Sequence, residues 1–185
     1  MSKGRSNPII TGIDPIVIRC ATTVKPIWLL LAAGLVLLCL SPPAGFAAEP
    51  ETKVFKKTYA VSGRTGREIK KQMAEKGPSG FWALTRWDIR WSSDCKVSLT
   101  ITQTYPRLED RAKVPLSVRN QWDSMLRLLE MHEQGHRHIG QEAAKELIAE
   151  HCKNARSIIA KWARQDEIYD FTTDHGAKQG VALAD

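Results

Sequence analysis

Two periods of apolar and polar positions divide this chain. From Val54 to Val61 the spacing of Phe55, Tyr59 and Val61 suits a strand. From Phe81 to Trp91 alternation is strict, with Thr85, Trp87, Ile89 and Trp91 on one face and Arg86, Asp88 and Arg90 on the other. Lys96 to Tyr105 repeats it through Val97, Leu99 and Ile101, and Ser92-Ser93-Asp94 between the two runs predicts an antiparallel hairpin. The tryptophan stripe reads as core rather than as a ligand platform. Between the first strand and the hairpin, Thr65 followed by Glu68 is a capping-box pattern. It opens a short helix to about Lys76, with Ile69 and Met73 inward and Gly77-Pro78 as the stop.

After a charged connector, Arg107 to Pro115, the period changes to that of a helix. Trp122, Met125, Leu129, His132, His136, Ile139, Ala143 and Leu147 form one stripe in a helix running from Ser117 to about His151 or Lys153. Asn154 to Trp162 continues as a second helix, and Tyr169 to Asp185, which contains glycine, reads as loop. The expected fold is α+β: a small antiparallel sheet packed on one long helix.

Upstream of all this, Ile27 to Leu40 is an apolar run of 14 residues. That is short of the roughly 17 to 25 residues of a membrane span and within the range of a signal-peptide core. Lys3, Arg5, Arg19 and Lys25 precede it; Pro42-Pro43 and Ala44-Gly45-Phe46-Ala47 follow. Residues 1–47 are therefore expected to be a signal peptide, cut after Ala47. Residues 48–185 are then a single exported domain, periplasmic or secreted, monomeric and without a stable membrane span. Setting the leader aside reduces the net charge from +7 to +4. No basic block remains, which argues against nucleic acid as a partner. It also leaves two cysteines, Cys95 and Cys152, which an oxidising compartment would pair.

The long helix carries candidate chemistry. His132-Glu133-Gln134-Gly135-His136 is an H-E-x-x-H string. At i and i+4 on a helix, the two imidazoles project from one face and can share one Zn²⁺, while the adjacent Glu133 stays free to take a proton from water. A histidine pair on an apolar stripe is costly unless paired or metal-bound. A catalytic zinc takes a third protein ligand. His138 points about 200° away from His132 and His136. The third histidine of the longer H-E-x-x-H-x-x-G-x-x-H pattern would fall at position 142, which is Glu142. His151, beside Cys152, reads as structural. The preferred third ligand is His175, with Asp170 and Asp174 as alternatives, either as ligand or as a partner holding an imidazole. Tyr169 reads as a packed tyrosine rather than a phenol serving an oxyanion. Gly135 and Gly140 inside the helix signify either close approach of another segment or simple tolerance.

On these residues the chain resembles a bacterial family of secreted zinc-dependent proteases, assigned by motif and catalogued as domain of unknown function 922. The resemblance runs from about Tyr59 to Gly180. It rests on Tyr59-Ala60-Val61-Ser62-Gly63 with Thr65 and Glu68, on Gly80 to Thr85 leading to Trp87, on His132 to His136, and on Tyr169-Asp170 with Thr173, His175 and Gly176. It implies a zincin-like metallopeptidase with His132 and His136 as zinc ligands, Glu133 as general base and a peptide or protein substrate. Two other functions fit the sequence: a non-catalytic envelope-binding or assembly module stabilised by zinc, and a basic, tryptophan-rich binder of anionic surface polymer.

Overall fold

The computed structural model describes residues 49–185; the expected leader lies outside them. Three strands, β1 (Glu51–Val61), β2 (Leu84–Trp91) and β3 (Val97–Leu108), and three helices, α1 (Gly66–Lys76), α2 (Leu116–Ala149) and α3 (Ala155–Thr173), form a mixed α+β domain. Among the described residues no helix is long and apolar enough to cross a membrane.

α1 begins at the expected capping box. The Thr65 side chain accepts from the Glu68 N–H, and the Glu68 carboxylate accepts from the Thr65 N–H. Ile69 and Met73 are fully buried beneath it. The hairpin is also present: β2 runs antiparallel to β3, with Thr85 opposite Gln103 and Ile89 opposite Leu99. The expectation of an antiparallel sheet needs one correction. The strand order is β1-β3-β2, and β1 pairs with β3 in parallel. A parallel neighbour needs a crossover connection, which α1 and β2 supply between β1 and β3. Side-chain alternation within β1 is the same for either direction of pairing.

β3 is the central strand. Val97, Leu99, Ile101, Gln103 and Tyr105 alternate inward and are buried, and both β2 and β3 pack on α2. α2, with 34 residues, is about 51 Å long. Its covered stripe includes Trp122, Met125, Leu129, Ala143 and Leu147 as expected, while Ile139 is only half-buried. α3 packs on α2 and does not end near Trp162: it runs on to Thr173, so Tyr169 and Asp170, read as loop from the sequence, are helical. Beyond it the chain turns through Gly176 and Gly180, both at positive φ, and returns Val181 and Leu183 to the core.

The core is in two parts. One joins Val61, Ile69, Met73, Tyr105, Trp122, Met125, Leu129 and Leu183. The other joins Val97, Leu99, Ile101, Ala144, Leu147 and Ile158. Beside the second, Cys95 and Cys152 form a disulfide tying the β2–β3 turn to the α2–α3 turn. Between the two apolar clusters lies a buried polar band: Thr85 on β2, Gln103 on β3, and His132, Glu133 and His136 on α2.

Candidate metal centre

Burying five polar side chains between two apolar clusters is unfavourable unless each finds a partner. The partners here form a centre. The H-E-x-x-H residues lie in the middle of α2, one turn apart, with the His132 and His136 rings edge-to-face at 4.8 Å. α3 passes alongside and presents Asp166 and Asp170, themselves one turn apart. The Asp170 Oδ1 lies 3.2 Å from His132 Nε2 and 3.1 Å from His136 Nε2, and the two Nε2 atoms are 3.2 Å apart.

Hydrogen bonds around the centre set the tautomer of each ring. The Tyr169 hydroxyl donates to the His132 carbonyl, and the Gln179 amide nitrogen donates to the Tyr169 oxygen. The Gln179 carbonyl oxygen therefore faces His132 Nδ1, at 2.8 Å, and accepts its proton. His136 Nδ1 is likewise 2.8 Å from Asp166 Oδ1 and donates to it. With both Nδ1 atoms protonated, both neutral rings turn Nε2 lone pairs toward a carboxylate oxygen. Three acceptors facing each other repel unless a cation joins them. Three donors about 2.0 to 2.1 Å from a tetrahedral Zn²⁺ stand roughly 3.3 Å apart, close to the separations found. His132, His136 and Asp170 are thus a group that can hold a metal ion, and two imidazoles with one carboxylate suit zinc. The bonds from Nδ1 to Gln179 and Asp166 are of the kind that orient metal-ligating histidines.

Electrostatics divides the two rings. Burial holds the His132 imidazole below its ordinary pKa, only partly opposed by the Gln179 hydrogen bond. Burial also opposes charge on His136, but the Asp166 hydrogen bond and the charges of Asp166, Asp170 and Glu133 outweigh it and raise that pKa.

Glu133 stands apart from the three donors. Burial raises its carboxyl pKa, against the lowering effect of the Thr85 hydroxyl, which donates to Oε2 at 2.6 Å. The Gln103 amide nitrogen is 3.3 Å from both the Thr85 oxygen and the Glu133 backbone carbonyl. Gln103 thereby occupies the hydroxyl's acceptor side, and the hydroxyl proton points to Glu133. The carboxyl, both imidazoles and Asp170 line a cavity of about 380 Å³.

His175, the expected third ligand, is placed outside the three-donor group. It follows the end of α3 at positive φ, its side chain is 55% exposed, and Nδ1 lies 3.3 Å from the outer oxygen, Oδ2, of Asp170. Its ring rests near Phe81, at 5.4 Å. Asp174 is exposed at the end of α3. Asp170 thus occupies the third position, and His175 stands behind it. His138 is exposed, as its angular position implied. Close approach accounts for both helix glycines: a Cβ on Gly135 would lie 2.3 Å from the Tyr169 ring, and one on Gly140 would lie 2.7 Å from Trp87. Tyr169 stacks on His132 at 5.1 Å. Thr85, Gln103, Asp166 and Gln179 carry no motif. Asp166 and Asp170 do repeat the i, i+4 spacing of the histidines, a signal that becomes visible once α3 extends past Trp162.

Fold and site together define an α+β domain with a buried candidate metal centre on paired helices. Residues 56–176, well over half of the chain, match the family described as "Bacterial protein of unknown function (DUF922)", and the chain belongs to it. No curated protein and no solved structure matches the chain.

Proposed function

We propose that this protein is an exported zinc metallopeptidase of zincin-like type that hydrolyses peptide bonds. The observation that carries the reading is the division of labour on one turn of α2. Three lone-pair donors converge, while the neighbouring carboxyl is held out of their group by a different partner and still faces the same cavity. A purely structural metal site has no use for a free buried acid beside it.

His132, His136 and Asp170 would hold Zn²⁺. When bound, the ion supplies Lewis acidity to a substrate carbonyl and to a water. Glu133 takes the proton of the attacking water and returns it to the leaving amine. A carboxyl whose pKa burial has raised is suited to both halves of that transfer. Thr85, held by Gln103, fixes the carboxyl so that it need not reorganise during the step. Asp166 and Gln179 keep the imidazole Nδ1 atoms protonated and the rings aimed. Export is supported by the disulfide, a bond that persists in oxidising compartments, and by the leader-like N-terminal sequence.

The test is metal analysis with peptide-cleavage assays on the purified domain. Glu133→Gln is expected to keep stoichiometric zinc and lose at least about 10²-fold in cleavage rate. Asp170→Ala is expected to lose more zinc affinity than the roughly 10- to 100-fold typical of outer partners, and His175→Ala less. Full activity in Glu133→Gln would overturn the peptidase reading in favour of a metal-stabilised binding module. Unchanged zinc affinity in Asp170→Ala would remove Asp170 as a ligand.

A further inference from the structure

The cavity beside the centre has walls that neither the three donors nor Glu133 explain. Its floor is apolar: Ala83, Leu129 and Val181 are 6%, 3% and 8% exposed. Its mouth is formed by Trp82 and Leu84, both half-buried, and by exposed Phe81. At about 380 Å³ it is near the lower end of ligand pockets, roughly 300 to 1,000 Å³. That is room for one large side chain and adjoining backbone.

Charge limits what can enter. Among the described residues no lysine or arginine lines the cavity, although the chain carries 27 of them. A free C-terminal carboxylate needs a fixed cation to clamp it, usually a bidentate arginine, and none is there. A free N-terminal ammonium needs an unengaged acid. Each lining acid is already held: Glu133 by Thr85, Asp166 by His136, and Asp170 by both imidazoles and His175. Both ways of anchoring a chain end are therefore missing, whereas the apolar floor is open to an uncharged side chain.

We infer that the cavity takes a neutral apolar side chain from an internal residue of a peptide, which makes this an endopeptidase site with Leu84 and Phe81 as specificity-determining residues. The inference rests on the peptidase reading above. It is tested with hexapeptides acetylated and amidated at their ends and differing only in a central Leu, Phe, Lys or Asp. The zinc-loaded protein is expected to cleave the Leu and Phe peptides about tenfold or more better than the Asp peptide, a ratio within reach of an apolar pocket. Freeing either terminus should bring no gain. Leu84→Arg, which adds a cation at the mouth, should shift preference toward Asp, and so should Phe81→Arg at the exposed rim, where the fold is not at stake. Calorimetric binding of the same blocked peptides to Glu133→Gln should follow the same order without turnover. Cleavage or binding of the Asp peptide equal to the Leu peptide, or cleavage confined to peptides with a free end, would overturn the inference while leaving the peptidase reading intact. Ordered binding with no cleavage of any peptide would instead uphold the cavity's preference and overturn the peptidase reading.

Discussion

At the scale of single residues, the Thr85 hydroxyl is the smallest group on which the proposed chemistry depends. It is the only side chain that donates a hydrogen bond to the Glu133 carboxyl among the described residues. Thr85→Val keeps the shape and removes the donor. A hydrogen bond to a charged group contributes about 1.5 to 3 kcal/mol, so kcat is expected to fall roughly tenfold to a hundredfold with zinc content unchanged. Thr85→Ser should restore most of it. Glu133 supplies a second test, in the metal-free protein. Burial raises its folded-state pKa above the unfolded value, so stability contributed by the neutral form is complete below the ordinary carboxylate range and is lost as pH rises through the folded pKa. Glu133→Gln stays neutral throughout. Its thermal midpoint should therefore exceed that of the metal-free parent at pH 8, and the gap should close on acidification toward pH 4. The H-E-x-x-H residues were legible because their meaning lies in a four-residue spacing. Thr85 and Gln103 were not: they face each other across two strands, and nothing local distinguishes them from the other threonines and polar residues of the hairpin.

Elements decide whether the donors meet. Gly135 is where α3 comes closest to the active turn of α2. Taken alone, Gly135→Ala would favour the helix by about 1 kcal/mol. Here the added methyl meets the Tyr169 ring, and overpacking of this kind costs about 1 to 3 kcal/mol, so the net effect is expected to be destabilising. Because Tyr169 and Asp170 move together on α3, zinc affinity should fall as well. Denaturant titration of Gly135→Ala, Tyr169→Ala and the double variant checks this, with the double variant expected to be more stable than the sum of the two single losses. Element types were largely readable from sequence: Thr65 and Glu68 mark the start of α1, alternation marks β2 and β3, and the apolar stripe marks α2. The parallel partner of β1 and the true end of α3 were not. Strand direction depends on contacts distant in sequence, and the Gly176 and Gly180 turns made the whole tail look irregular although α3 stops only at Thr173. That unread boundary left Asp170 as an alternative to His175.

For the molecule as a whole, the disulfide and the returning C-terminal segment hold the two halves of the core in register around the polar band. Cys95 and Cys152 are 57 residues apart, for which the chain-entropy view assigns about 4 kcal/mol of stabilisation. Reduction, or Cys95→Ser with Cys152→Ser, is expected to lower unfolding free energy by about 2 to 4 kcal/mol in urea titrations, with zinc protecting the reduced protein in proportion to its binding. The tail matters in another way. Gln179, which orients His132, lies beyond every donor, and Val181 and Leu183 anchor it in the core. A polypeptide that emerges N-terminus first, from a ribosome or through a translocation channel, presents the two histidines early, Asp170 later and Gln179 almost last. Until that final stretch is released the rings lack their fixed tautomer and the pocket lacks a wall, so the order of emergence itself delays hydrolytic competence until the chain has left the machinery that delivers it.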